Sequence, residues 1–200
     1  MKYFISSVFI ILFSVSLNSQ TPVLGYKILD TATDFKLKGV DGKMYSLASF
    51  KNTKGFLVIF TCNHCPFAQA YESRIIALHK KYAAKGIPVI AINPNDAGLV
   101  PEDSYDNMVK RSKERKYPFV YLHDVTQNIA RTFGAKRTPH VFFLDAKKVV
   151  QYMGTIDDNF EEPTEVKEKY LENALDAFLA GKPIALTQTK AIGCGIRWKK

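Results

Sequence analysis

This sequence contains three residues whose type and spacing suit thiol chemistry, the cysteines Cys62, Cys65 and Cys194. Only two residues separate Cys62 from Cys65, so the two sulfurs can form a disulfide with each other. A dithiol of this kind can close after attacking the disulfide of a substrate. A purely structural bridge across so short a loop would add little stability. The spacing therefore predicts a redox pair.

Cys62 and Cys65 lie between a buried apolar run and a segment with helical period, 66–85. Pro66 suits the first turn of a helix. The free N–H groups and the positive dipole end of a helix N-terminus stabilise a thiolate, which favours Cys62 as the more anionic and more exposed thiol. A protonated His64 would stabilise that thiolate further, and the alternative is that His64 is a surface residue without a role.

Metal binding and haem attachment are the competing explanations of two cysteines at this spacing. A closed zinc site needs four ligands, the chain has no second such pair, and His79, His123 and His140 are isolated in sequence. Haem attachment requires a histidine where Pro66 stands. We therefore predict neither a metal nor an organic cofactor.

The elements around the cysteines predict an α/β fold with a central sheet. Asp41 and Gly42 suit the turn of an N-terminal hairpin between 35–37 and 44–47. Apolar runs predict strands at 56–61, 89–92, 119–122, 141–144 and 149–153. Helical periods indicate helices at 66–85, 103–116 and 164–180, and a short one capped by Thr126. The tail, 184–200, has no clear period.

Thr138 and Pro139 directly precede the strand at 141–144. A proline cannot donate to a central ladder, so Pro139 marks the start of the strand. A cis bond would turn the backbone of Thr138 toward the cysteines, where it could pair with an extended substrate segment. An ordinary trans proline at a strand start is the alternative from the residues alone.

Residues 1–19 have the pattern of a signal peptide, with Lys2 before an apolar run. We expect one domain over 20–200 in the periplasm or outside the cell, where disulfides persist. Stable membrane insertion is not expected after cleavage, and an uncleaved anchor is the alternative. The basic residues behind the net charge of +9 are scattered, which indicates a solvated surface and no nucleic-acid partner.

Taken together, these motifs resemble those of the thioredoxin-like redoxins, and within them the peroxiredoxin-like group related to alkyl hydroperoxide reductase and thiol-specific antioxidant proteins. The resemblance is carried by the segments 34–35, 41–43, 61–66, 91–93, 121–122, 133–135, 138–139, 156–159 and 193–198. It implies a thioredoxin fold, a three-layer α/β/α sandwich around a mixed sheet, with an N-terminal β-hairpin extension. It also implies that Cys62 attacks, that Cys65 resolves, and that Pro139 is cis beside them.

Two positions depart from the pattern of this group. A true peroxiredoxin has a threonine three residues before its attacking cysteine, and Ile59 stands there in this chain. The group often has a cysteine directly before the Thr-Pro pair, and here that residue is Arg137. Arg137 either favours the Cys62 thiolate or is simply exposed.

The predicted function is that of a thiol–disulfide oxidoreductase of the cell envelope. Its partners would be protein or small-molecule thiols and disulfides, together with a redox partner protein. The alternatives are a thiol-dependent hydroperoxide reductase, which Ile59 disfavours, and a copper-binding chaperone on the same fold. Cys194 is expected to lie outside the catalytic cycle, because the pair is complete without it.

Overall fold

A seven-stranded mixed sheet runs through residues 25–200, the part of the protein that the computed structural model describes. The predicted signal peptide, 1–19, lies outside the described residues. The strands of the sheet are β1 (Leu37–Gly39), β2 (Met44–Tyr45), β3 (Gly55–Phe60), β4 (Val89–Asn93), β5 (Val120–His123), β7 (His140–Asp145) and β8 (Val150–Gly154). Their order is β2-β1-β5-β4-β3-β7-β8. A separate two-stranded sheet pairs β6 (Arg137–Thr138) with β9 (Cys194–Gly195).

The central strand β3 is buried along its whole length. It pairs in parallel with β4 and antiparallel with β7. Because side chains alternate along a strand, Phe56, Val58 and Phe60 enter the core on one face. Leu57 and Ile59 enter the core on the other face. A strand covered on both sides accounts for the unbroken apolar run that predicted it.

Four helices cover the two faces of the sheet, namely α1 (Pro66–Ala83), α2 (Tyr105–Glu114), α3 (Asn128–Phe133) and α4 (Tyr170–Leu179). Buried residues of α1, α2 and α4 pack in one cluster, and those of α3 pack in the opposite one. The last helix is shorter than predicted, because 163–165 form a separate 3₁₀ turn. Gln127 and not Thr126 is the N-cap residue of α3.

The arrangement of parallel strands joined by helices, followed by the antiparallel β7–β8 hairpin, confirms the predicted thioredoxin fold. The N-terminal hairpin is also present, and its strand β1 extends the sheet by pairing antiparallel with β5. Within the described residues, every helix falls short of the length and apolar character needed to cross a membrane.

The C-terminal tail is more ordered than its lack of periodicity suggests. Its strand β9 pairs antiparallel with β6, with Cys194 opposite Thr138 and Gly195 opposite Arg137. The segment after β9 is held by the backbone of Arg197, whose N–H donates to Asn95 Oδ1 at 2.9 Å. Buried Gln127 donates to the Arg197 carbonyl oxygen at 2.8 Å. The tail is therefore packed against the domain at the end where β3 meets α1.

Candidate active site

Cys62 and Cys65 lie where β3 ends and α1 begins. Cys65 is the N-cap residue of α1, and Pro66 is the first helical residue, as predicted. Both sulfurs are free thiols. The exposed fraction is 4% for Cys62 and 0% for Cys65. Cys62 is therefore the more exposed of the two, as the sequence predicts, although both are largely covered.

Thr138 touches both thiols from the opposite side of the site. Its hydroxyl Oγ1 lies 3.2 Å from Cys62 Sγ. Its carbonyl oxygen lies 3.1 Å from Cys65 Sγ, where it can accept a hydrogen bond when Cys65 is protonated. The Thr138–Pro139 peptide bond is cis, which confirms that prediction. Four of the predicted site residues are thus brought together from segments about 75 positions apart.

The backbone of Thr138 is not open to a substrate, in contrast to our expectation from the sequence. Strand β9 of the chain's own tail already pairs with β6 at this position. The tail has no periodicity from which this pairing could have been recognised.

His64 belongs to the site and is not a surface residue without contacts. Its Nδ1 lies 2.6 Å from Asp103 Oδ2 and 3.6 Å from Cys62 Sγ. Since the Asp103 carboxylate can only accept, Nδ1 carries a proton in this contact. The same N–H faces the Cys62 sulfur, so His64 connects Cys62 to a buried carboxylate.

Asp103 is a site residue that the sequence reasoning missed. Its carboxylate is fully buried and accepts hydrogen bonds from the Asn63 backbone N–H at 2.6 Å and from Asn95 Nδ2 at 2.8 Å. Together with the His64 contact, these bonds tie the segment between the two cysteines to the 3₁₀ turn Pro101–Asp103. In sequence, Asp103 looked like an ordinary residue at a polar helix start.

The two neighbouring thiols shift each other's pKa in opposite directions. A hydrogen bond from Cys62 lowers the pKa of Cys65 to about 5, burial opposes this shift, and contacts with the Cys194 side chain and the Ala68 N–H add to it. Conversely, the hydrogen bond to Cys65, burial and the charge of Asp103 raise the pKa of Cys62. These shifts favour loss of the first proton from Cys65 and retention of the second proton on Cys62.

The prediction that Cys62 is the more anionic thiol is wrong for this reduced arrangement. Pro66 begins the helix as predicted, and its N-cap residue is Cys65, which is also the thiol that the Ala68 N–H of the first turn contacts. Asp103 also places a negative charge on the Cys62 side of the pair.

Ile59 and Arg137 place no polar group against Cys62. Ile59 is fully buried in the core cluster of α1. Arg137 is exposed, and its guanidinium donates to the Gly193 carbonyl oxygen at 3.4 Å. Of the two alternatives for Arg137, the structure has the exposed one. The hydroxyl that does contact Cys62 comes from Thr138.

Replacing Asp103 with asparagine is expected to destabilise the protein. Asparagine keeps one acceptor oxygen but turns an amide donor toward groups that also donate, leaving buried hydrogen-bonding groups unpaired. The expected loss is about 2–4 kcal/mol in the free energy of unfolding, measured by urea denaturation.

The matched control is Asp106→Asn, because Asp106 is an exposed residue in the first turn of α2. It should change the free energy of unfolding by less than about 0.5 kcal/mol. Equal stability of the two variants would mean that the Asp103 network does not hold this segment.

Comparison with known proteins gives a family and a fold. The family model described as AhpC/TSA family matches residues 28–153. The chain is 27% identical over 127 residues to "Peroxiredoxin Q, chloroplastic" of Triticum aestivum. That match covers 60% of this chain but only 55% of the relative, so it spans about half of the relative's length.

Two solved structures are similar over most of the described residues. An uncharacterized conserved protein from Geobacillus kaustophilus is 37% identical, with a TM-score of 0.81, over 86% of this chain and 93% of that one. A putative thiol:disulfide interchange protein DsbE from Chlorobium tepidum is 23% identical, with a TM-score of 0.62, over 76% of this chain and 98% of that one. The second likeness concerns the fold alone.

Proposed function

Because the chain belongs to the AhpC/TSA family, we propose that it is a thiol–disulfide oxidoreductase that exchanges disulfides through Cys62 and Cys65. The observation that carries this proposal is the pair itself: two free thiols, two residues apart, both contact Thr138, and the pKa of one of them is lowered. A dithiol in this state has a thiolate available at neutral pH and a second thiol beside it to complete the exchange.

Access decides the order of attack in the proposed reaction, because Cys65 is fully covered. Cys62 passes its proton to Cys65, and its sulfur forms a bond to one sulfur of the substrate disulfide as the substrate S–S bond breaks. The released substrate thiolate takes up the proton held by Cys65. The Cys65 thiolate then attacks Cys62, which forms the Cys62–Cys65 disulfide and releases the second substrate sulfur as a thiolate that takes up a proton from water. The substrate gains two electrons, and a thiol partner returns two electrons to the protein.

The proposed role assigns supporting functions to the other site residues. Thr138 and Pro139 hold the far wall of the site, Pro66 starts the helix, and His64 connects Cys62 to Asp103. We propose that residues 1–19 are a cleaved leader and that the single domain, 20–200, works in the periplasm or outside the cell. Its partners there would be thiols and disulfides of proteins or small molecules.

The test is reduction of insulin disulfides by the wild-type protein in the presence of dithiothreitol, followed by precipitation of the insulin B chain. We expect the protein to accelerate precipitation, and the double variant Cys62→Ser/Cys65→Ser to leave it at the uncatalysed rate. Equal rates with and without wild-type protein, combined with failure to oxidise a reduced peptide dithiol, would refute the proposal.

Hydroperoxide reduction is the second candidate, favoured by the family and by the Thr138 hydroxyl 3.2 Å from Cys62 Sγ. Consumption of hydrogen peroxide by the reduced protein distinguishes the two. Peroxide turnover without disulfide exchange would replace the first proposal with this one.

Copper binding is the third candidate. Cys62, His64 and Asp103 each offer a ligand atom, and these atoms lie within 4.8 Å of one another. His64 and Asp103 are already hydrogen-bonded to each other, with His64 Nδ1 2.6 Å from Asp103 Oδ2. Titration with Cu(I) decides this case.

A further inference from the structure

The third cysteine lies beside the redox pair, although the sequence predicted it to be outside the cycle. Pairing of β6 with β9 sets Cys194 opposite Thr138, the residue that both active-site thiols contact. Cys194 packs against the cluster of Cys62, Cys65 and Ala68. The nearness of the two side chains also affects their acidity, since Cys194 lowers the pKa of Cys65 and Cys65 raises that of Cys194.

We propose that Cys194 is a third redox thiol, which exchanges disulfides with Cys65. This inference rests on the proposed function, because that reaction forms the first disulfide. Cys65 then lies between two possible partners, with Cys62 on one side and Cys194 on the other. None of the comparisons assigns this role, and the tail lies beyond the residues 28–153 that match the family.

The exchange needs no further oxidant. The Cys194 thiol loses its proton, and its sulfur attacks Cys65 Sγ of the Cys62–Cys65 disulfide. The Cys65–Cys194 bond forms as the Cys62–Cys65 bond breaks, and Cys62 leaves as a thiolate that takes up the proton. The protein stays oxidised by two electrons throughout, and only the position of the disulfide changes.

The different exposure of the three cysteines determines which sulfur a thiol partner can reach after the exchange. Cys65 is fully buried and Cys62 is 4% exposed, whereas Cys194 is only partly covered. A Cys65–Cys194 disulfide therefore presents its Cys194 sulfur to a thiol partner and frees Cys62. When a partner thiolate attacks Cys194, the leaving group is Cys65. Its pKa of about 5 makes it a good leaving group.

The test is disulfide mapping of Cys62→Ser, which retains Cys65 and Cys194. Cys65→Ser is the matched control, because it retains Cys62 and Cys194. Both are oxidised with glutathione disulfide, free thiols are alkylated in acid, and the monomer is isolated on a non-reducing gel. Trypsin releases Cys62 and Cys65 together in peptide 55–74 and Cys194 in peptide 191–197. Only a disulfide to Cys194 links these two peptides.

We expect the linked peptides to be the main oxidised product of Cys62→Ser and to stay at background in Cys65→Ser. Wild-type protein, which needs no substitution to be informative, should give a measurable linked fraction together with the closed peptide 55–74. Glutathione adducts without linked peptides in Cys62→Ser, and no linked fraction in the wild type, would overturn the inference. If only the inference about Cys194 is wrong, the protein still reduces insulin. If the proposed function is wrong, insulin reduction is absent, while the Cys65–Cys194 disulfide can still be measured.

Discussion

Cys65→Ser is expected to convert the protein into a trap for its substrates, whereas Cys62→Ser should remove both trapping and turnover. After attack by Cys62, the mixed disulfide is released quickly only when a neighbouring thiolate attacks it. Serine at position 65 keeps a hydroxyl that can donate to the Thr138 carbonyl oxygen but cannot resolve the intermediate. With insulin as the disulfide probe, Cys65→Ser should give a covalent adduct on non-reducing gels that disappears on adding dithiothreitol.

Loss of the attacking sulfur should have the largest effect on activity. Cys62→Ser should lower the rate of disulfide exchange by more than about 1,000-fold, the scale on which removing a covalent nucleophile acts. Wild-type protein treated identically is the control, because it passes through the mixed disulfide without accumulating it. If both variants trapped insulin to the same extent, or if Cys65 were alkylated before Cys62 at mildly acidic pH, access would not determine the order of attack.

Gly193→Ala should displace the C-terminal tail from the active site. A Cβ atom at position 193 would lie 2.2 Å from the Thr138 carbonyl oxygen and 2.7 Å from its carbonyl carbon, and backbone atoms cannot move aside as a flexible side chain can. The φ of Gly193 is +152°, which other residues rarely adopt. We expect a loss of about 2–4 kcal/mol in the free energy of unfolding, seen as a lower melting temperature by circular dichroism.

The neighbouring glycine provides a matched control for this substitution. A Cβ atom at Gly195 would meet only Arg137 Nη1, at 3.9 Å, which is an ordinary contact. Gly195→Ala should therefore keep both the wild-type melting temperature and the linked peptides of the disulfide map. Gly193→Ala should lose the linked peptides. Identical behaviour of the two variants would show that close approach at Gly193 does not hold the tail in place.

The central sheet and the redox pair could be predicted because each shows a pattern within one short segment of the sequence. The run at β3 is apolar on both faces, α1 has a regular apolar stripe that includes Tyr71 and Ile75, and Pro66 marks its start. These signals need no knowledge of distant residues. The cis bond before Pro139 was different, since the residues alone favoured a trans bond and only the family resemblance pointed the other way.

Asp103 and Cys194 were missed because their roles depend on contacts across the chain. Asp103 reaches Asn63 and His64 from about 40 positions away. Cys194 meets Thr138 through a strand of only two residues, which is too short to give a period. The acidity of the pair was also misassigned, because Cys65 is the N-cap residue of the predicted helix and the missed Asp103 places a negative charge beside Cys62.

The tail strand β9 competes with any extended ligand that would pair with β6. An extended peptide that adds a strand to β6 must first displace β9, so its apparent dissociation constant rises by the ratio of docked to undocked tail. Because β9 belongs to the same chain as β6, it binds as an intramolecular ligand at a high effective concentration. Ligands that need no strand pairing, such as small disulfides, do not meet this competition. We therefore expect the docked tail to weaken the binding of peptides that add a strand to β6, and to leave the binding of small disulfides unchanged.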